Sequence, residues 1–428
     1  MILVQFLLVL TFLFIGMRIG GIGVGFAGGA GVIVLNVLGA TPGELPMLVI
    51  VFIMVVIVAI AAMQEAGGIE YLVNLTERML RRYPHLLIIT APVSTWLLTM
   101  MASTGQVSFA CMPIIVGVAK DNQIRPTRVL SISVVASLLG IVASPISAAV
   151  IFFSGILEKN HQGWGYIELI SVSIPATFLA LLCTSVFYLI WDRLHQNDRL
   201  EYSCKHQSSC TVEIRKGARL SVFFFIAGLV IVLAYAIAVS PKLGLITHPT
   251  LDSGQSRIAV MLAVALCITA FCQVNVHGIP ATAVFKTGMT SCICILGVAW
   301  LGSTFMDSNR IWLQQFVSTW LLDSPVLMAV IIMLTSSFLY SQAAATKILF
   351  PVALTLGVTP ATLVACFPAT ATLFILPNYP TLLAAVTLDD TGSTHLGTRI
   401  IDHPFLLPGL MATILSILFS SVLSWMML

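Results

Sequence analysis

Long apolar runs broken by short polar turns account for nearly the whole chain. A helix needs about 20 apolar residues to cross a bilayer, so the runs at 2–17, 19–38 and 46–63 predict three spans. From Glu65 to Pro84 the pattern turns amphipathic and ends in Arg78, Arg81 and Arg82, which predicts a helix lying in the interface. A hairpin follows at about 85–119, with its tip at 102–106. The next span, about 129–157, is interrupted at 144–147, and a fifth runs over about 166–191. Beyond the polar stretch 192–219 the order begins again. Spans are predicted at about 220–239, 257–272 and 288–305, then an amphipathic stretch at 308–322. A second hairpin at 325–357, a broken span at 360–388 and a last span at 404–427 complete it.

The two halves, 1–191 and 220–428, therefore carry the same elements in the same order, joined by a loop at 192–219. Prolines mark corresponding places: Pro84, Pro113, Pro126 and Pro145 in the first half, Pro325, Pro351, Pro360 and Pro377 in the second. Five spans per half is an odd number, so the second half enters the membrane upside down and the repeat is inverted. Cytoplasmic loops are enriched in Lys and Arg. With both termini outside, fifteen of the 20 Lys and Arg fall on the cytoplasmic side, including Arg18, Arg78, Arg125, Arg128 and the six of loop 192–219. The expected fold is an all-α polytopic membrane protein of two inverted five-span repeats, each with a re-entrant hairpin and a broken helix. Hairpin 1 enters from the cytoplasm and hairpin 2 from outside, so that their tips meet near the midplane.

Composition narrows the function. Of the 428 residues 58% are hydrophobic and only 9% charged, against about 25% in a soluble domain. The basic residues sit in loops, so the net charge of +3 gives no reason to expect nucleic acid. The first apolar run lacks a basic leader and a small-residue cleavage site, and reads as a retained span rather than a signal peptide. Gly23, Gly25 and Gly28 match a dinucleotide-binding spacing, but that motif needs a preceding strand. Inside an apolar helix, Gly21, Gly25 and Gly29 read instead as a close-packing face. Seven of the nine cysteines lie in or beside apolar runs; Cys204, Cys210 and His206 match no standard zinc spacing, so no metal or other cofactor is expected. All 17 Asp and Glu and all eight His fall in predicted loops, interfacial stretches or span ends. The core thus offers neither a carboxylate relay nor a hydrolytic centre, which argues against an intramembrane enzyme.

What the core does offer is interrupted helices. Unpaired backbone in hydrocarbon costs several kcal/mol, so breaks survive only where protein buries them or they line a wet cavity, and paired breaks mark transport sites. The candidate substrate-binding residues are the tips, Ser103, Thr104, Gly105, Gln106 and Ser341, Gln342, Thr346, Lys347, with the breaks, Ser144, Pro145, Ser147 and Asn378, Tyr379, Thr381. A half-helix that starts at a break aims N–H groups and a positive dipole end into the cavity, an anion site without a basic residue. One such site per repeat suits a substrate anionic at both ends. Lys347 has two readings, neutralising a carboxylate or snorkelling to the outer interface; Tyr379 has three, as ligand, gate or packing.

Nine segments, GGIGVGFAGGAGV, MLRRYP, ASTGQVS, ASPISAAV, GMTSCICILGVAWLG, LYSQAAATK, ILPNYPTLLAAV, DDTGST and HPFLLPG, carry a resemblance to the anaerobic C4-dicarboxylate transporter (Dcu) family, closest to its A-type (DcuA-like) members. The resemblance covers nearly the whole chain, least of all loop 192–219. It implies a bacterial inner-membrane carrier that exchanges fumarate, malate or aspartate for succinate in anaerobic respiration. The wider ion-transporter superfamily implies a homodimer in which a transport body moves past a scaffold, an elevator mechanism. Sodium-coupled relatives there carry Ser-Asn-Thr at both tips. Here the tips read Ser103-Thr104-Gly105 and Ser341-Gln342-Ala343, which implies exchange, or proton coupling through the substrate's own carboxyls, rather than sodium coupling. The competing expectation is a membrane sensor that binds a dicarboxylate without transporting it, with loop 192–219 as its contact surface.

Overall fold

Each apolar run folds as helix in the computed structural model, which describes all residues except 1, 20–21, 46, 106, 160–162, 195–214, 216, 240–252, 322–324, 340, 377–378, 390, 396–401 and 428. In the first half, α1 (Ile2–Ile19), α2 (Gly23–Val37) and α3 (Met47–Glu65) are followed by α4 (Gly68–Arg82). Then come the hairpin arms α5 (Leu87–Ala102) and α6 (Val107–Asp121), α7 (Pro126–Ala143), α8 (Ala148–Lys159) and α9 (Tyr166–Leu194). In the second half α10 (Ala218–Val239), α11 (Ser253–Phe271) and the long α12 (Ala283–Leu321) precede the arms α13 (Pro325–Leu339) and α14 (Gln342–Thr355). The chain ends with α15 (Pro360–Cys366), α16 (Pro380–Leu388) and α17 (Leu406–Met426). Among the described residues, six helical stretches are long and apolar enough to span a membrane by themselves, while α1, α2, α11 and α13 are shorter apolar helices.

Both amphipathic stretches turn away from the span before them. The axis bends by 67° between Ile53–Glu65 and α4, at Gly67, whose φ of +84° is open to glycine without a Cβ clash. Helix α4 then buries one face, Gly68, Ile69, Leu72, Thr76 and Leu80, and its Arg81 bonds Glu77 at 2.9 Å and Asp121, at the end of α6, at 3.0 Å. In α12 the kink falls at Asn309 (φ −119°, ψ 17°). Its buried amide donates to Gln5 of α1 at 2.6 Å and to the Phe305 carbonyl at 2.9 Å, which supplies partners for the polar groups a kink exposes.

The packing is reciprocal between halves. Helix α1 lies on α2 as α10 lies on α11, and α2 crosses α12 as α11 crosses α3. Hairpin arm α5 packs on α7, and α13 packs on α15 and the turn after it; α6 meets α16, and α14 meets α8. Helices α3 with α12, and α9 with α17, close the pattern across the two halves. Nearly every residue of α7 is buried, so the first broken span is the centre of the molecule.

The glycine face of α2 does not follow the expected register. A Cβ on Gly25 would stand 2.3 Å from the Ile293 carbonyl oxygen, and one on Gly28 2.3 Å from the Gly297 carbonyl carbon, both on α12. Gly29 has nothing within 4 Å, and Gly21 lies outside the described residues. Close packing is the role, but Gly25 and Gly28 carry it, because a straight helix of 3.6 residues per turn takes positions three apart against α12 as readily as four. The α2–α3 loop docks beside them: Trp300 donates to the Gly43 carbonyl at 3.0 Å, and Gly43 N–H to Thr304 at 3.0 Å.

Candidate functional site

Tip 1 is sharp because α5 ends on a left-handed residue. Ser103 has φ 56°, and its N–H still bonds the Thr99 carbonyl at 2.7 Å. The chain then reverses through Thr104 and Gly105, whose carbonyl takes the Ser108 hydroxyl at 2.5 Å. A Cβ on Gly105 would lie 3.7 Å from Ile141 of α7 and 4.0 Å from the Thr381 methyl of α16. The expected site residue Gln106 lies outside the described residues.

Break 1 leaves the helix at Ser144 (ψ 120°). The two serines there differ in use. Ser147 accepts the Val150 N–H at 3.2 Å and so caps α8, whereas the buried Ser144 hydroxyl makes no hydrogen bond. Between them the Pro145 carbonyl accepts the buried Tyr166 hydroxyl at 2.7 Å. Tyr166 was not expected from the sequence; it lies at the start of a span, where an aromatic residue ordinarily reads as an interface anchor.

Tip 2 is built differently. Ser341 is the N-cap of α14 and accepts the Ala344 N–H at 3.2 Å, so its hydroxyl is committed to the backbone. Gln342 is buried; its amide donates to the Leu138 carbonyl of α7 at 2.8 Å, and its Oε1 makes no hydrogen bond. Thr346 bonds back to the Gln342 carbonyl at 2.8 Å. One residue further, Lys347 is 4% exposed, and its Nζ stands 5.4 Å from the centroid of Phe152 on α8. The snorkelling expectation fails here, because α14 is enclosed by α8, α12 and α13 and the ammonium cannot reach an interface.

Break 2 is wider than the expected break residues Asn378, Tyr379 and Thr381 imply. Helix α15 stops at Cys366, a 3-10 turn runs from Phe367 to Ala371, and α16 begins only at Pro380. Pro368 cannot continue the i−4 ladder, and hydroxyls replace it. Ser336 of α13 donates to the Thr370 carbonyl, Ser337 to the Thr372 carbonyl at 2.6 Å, and Thr372 to the Met333 carbonyl at 2.9 Å. These four residues were not singled out in the sequence, where isolated Ser and Thr read as ordinary interhelical bonds; the clustering of Thr335-Ser336-Ser337 and Thr370/Thr372 is the signal that could have found them. Tyr379 packs at the margin of the core. Thr381 is buried with its hydroxyl unbonded, and Asn378 lies outside the described residues.

These pieces converge on α7. Tip 2 reaches Leu138 and tip 1 reaches Ile141, three residues apart on one turn just before break 1. Beneath them Phe153 of α8, Phe350 of α14 and Phe367 of the second break form a triangle of rings 4.5–5.9 Å apart. A cavity of about 110 Å³ opens beside tip 1, lined by Ser103, Thr104 and Ile146 on one wall and by Ile57 and Ile60 of α3 and Gly288 of α12 on the other. No group of His, Cys, Asp or Glu among the described residues could hold a metal ion. Outside the membrane, burial pushes the Asp389 carboxyl up, but hydrogen bonds from Thr391, Thr394 and Ser393 outweigh it and hold the group below the usual carboxylate range. That knot fixes the loop after α16.

Comparison with known proteins covers the same ground end to end. A family model described as anaerobic C4-dicarboxylate membrane transporter matches residues 1–428. The chain is similar to the C4-dicarboxylate transporter DcuA of Escherichia coli K12, 44% identical over 100% of both chains. It is similar to the DcuA of Wolinella succinogenes at 42% identity over 97% of this chain and 98% of that one. The anaerobic C4-dicarboxylate transporter DcuB of Escherichia coli O6:H1 is 32% identical over 99% of this chain and 98% of its own.

Proposed function

The chain belongs to the anaerobic C4-dicarboxylate membrane transporter family, and from that premise we propose that it exchanges fumarate, malate or aspartate for succinate across the bacterial inner membrane. The family is one of transporters and not of enzymes. A sensor that binds without transporting finds no support among relatives that match over the whole length and are all named transporters.

The observation that carries the reading is the arrival of both hairpin tips at one turn of α7. Substrate binds there, between tips 103–106 and 341–347 and breaks 144–147 and 378–381. The Ser144 and Thr381 hydroxyls and Gln342 Oε1 are unbonded polar groups of these segments, and the starts of α8 and α16 add positive dipole ends. Reciprocal packing of 1–191 and 220–428 supports two inverted repeats, and the excess of Lys and Arg in the loops assigned to the cytoplasm supports both termini periplasmic. The packing also supports an elevator in which α5–α8 and α13–α16 move as one body past α1–α3 and α10–α12 within a homodimer. The apolar walls of the tip 1 cavity, α3 and α12, are the surface past which that body slides. Ser103 and Thr104 line the cavity, which supports a substrate route through it.

Counterflow in proteoliposomes tests this. Vesicles loaded with unlabelled succinate accumulate trace labelled fumarate or aspartate, in sodium-free medium as well as with sodium, and excess external succinate blocks the accumulation while a monocarboxylate does not. Absence of accumulation from folded protein with every C4 acid tried overturns the reading.

A further inference from the structure

Lys347 is the one basic side chain among the site residues, and its setting is unusual for a lysine. Its helix lies inside the protein, it is 4% exposed, and its Nζ makes no hydrogen bond. Among the described residues no carboxylate lies within ion-pair distance of it; its partner is the face of Phe152. An ammonium held without a counter-charge in a membrane interior is costly, and where one is retained it marks a ligand or ion pathway. A ring face attracts a cation through its quadrupole, but a carboxylate brings a full charge and hydrogen-bond acceptors.

We propose that Lys347 selects dianions: its ammonium leaves the Phe152 ring to pair with one carboxylate of the substrate, while the hydroxyls and helix ends of the breaks take the other. This deepens the reading of the site given above and rests on it. One feature of the geometry favours it. Phe152 stands on α8, the helix that begins at break 1, so the ring that holds the ammonium belongs to the same broken span as Ser144. A flexible four-carbon stem lets the ammonium swing between ring and substrate without moving the backbone. The arrangement also gives exchange a reason. Once loaded, the ammonium is paired with one carboxylate and the other is held by hydroxyls and helix ends, whereas an unloaded site must carry a bare ammonium across the apolar surface of α3 and α12, so return without a dianion is disfavoured.

The test uses purified full-length protein in proteoliposomes and detergent, with succinate and its monoamide, succinamate, as the paired probes. Wild-type protein is expected to be inhibited by succinate about a hundredfold more strongly than by succinamate, the scale for losing one partner of a buried charge pair. Lys347→Gln should raise the succinate KM by about that factor and bring the two inhibitors level; Lys347→Arg should keep the preference. Thermal melting separates this from a packing role. Lys347→Gln without ligand should melt higher than wild type, because an uncompensated buried charge is gone, and should lose the succinate-induced upward shift. Should Lys347→Gln fail to fold, Phe152→Leu carries the test: removing the competing ring should lower the succinate KM. Exchange of succinate by wild type together with an unchanged succinate-to-succinamate ratio in Lys347→Gln overturns the proposal and leaves the transport reading intact. A rise in KM for Phe152→Leu overturns it as well. Lack of any C4 exchange by wild type overturns the transport reading first.

Discussion

Ser144 and Ser147 look equivalent in the sequence, and their hydrogen bonds set them apart. Ser147 spends its hydroxyl on the first turn of α8, so Ser147→Ala removes a cap worth about 1 kcal/mol. Ser144 is buried with its hydroxyl unbonded, and deleting an unsatisfied buried group is neutral or stabilising. The two variants should therefore separate in opposite ways. Ser147→Ala lowers the melting temperature and leaves the succinate KM near wild type, whereas Ser144→Ala melts as wild type or higher and raises KM. A melting curve and a counterflow titration on each decide it; equal KM values would remove Ser144 from the site. The same contrast explains why tip 2 presents Gln342 rather than Ser341 toward α7. The Ser341 hydroxyl is consumed by the cap of α14, and the amide of Gln342, long enough to reach Leu138, is what remains to face the neighbouring helix.

At the scale of helices, apolar runs predict the elements well, since a run of about 20 apolar residues in a membrane has no alternative but helix. Hairpin 1 and break 1 lie where the prolines and the Ser-Thr-Gly and Ser-Pro-Ile-Ser interruptions put them. What escaped were features decided by a neighbour. The extra width of break 2 depends on hydroxyls of α13 reaching Thr370 and Thr372, and hydropathy along one chain carries no information about which helix stands opposite. The same holds for Lys347, whose burial depends on α8 and α12 closing around α14, and for the glycines of α2. There the partner sets the register: a Cβ on Gly297 would stand 2.0 Å from the Gly25 carbonyl oxygen, and backbone cannot move aside as a side chain can. Gly297→Leu should lower stability by at least about 1–3 kcal/mol, the range for overpacking a filled interface. Gly29→Ala, with nothing within 4 Å, should raise it by up to about 1 kcal/mol through helix propensity. Melting temperatures of the two variants in one detergent check the order; a destabilised Gly29→Ala beside a tolerant Gly297→Leu would return the face to the sequence-predicted register.

For the whole molecule the question is which surfaces stay together during transport. The α2–α12 contact is backbone against backbone at Gly25, Gly28 and Gly297, and the Gly43 loop is pinned to Thr304 and Trp300; a surface keyed this closely cannot slide without unpacking. The wall between tip 1 and α3 is of another kind. It is largely aliphatic, with Ile57 and Ile60 on one side and Ile146 and Ala148 beside Ser103 and Thr104 on the other, and it leaves a cavity of about 110 Å³. Aliphatic side chains without hydrogen bonds present many near-equivalent packings, which is what a sliding interface requires. An elevator therefore predicts a sharp difference between two cross-links, made in protein whose nine natural cysteines have been replaced. A short bismaleimide joining Ile57→Cys to Ile146→Cys spans the sliding wall and should stop counterflow, with recovery in a control that carries either cysteine alone. A short bismaleimide joining Thr41→Cys to Ser308→Cys, positions that meet where the Ser308 hydroxyl donates to the Thr41 carbonyl, lies within the keyed surface and should leave counterflow near the unlinked rate. Blockage by both would point to a mechanism in which the α2–α12 unit itself rearranges. Blockage by neither would show that α3 travels with tip 1, and the scaffold would then have to be sought in the helices that face lipid.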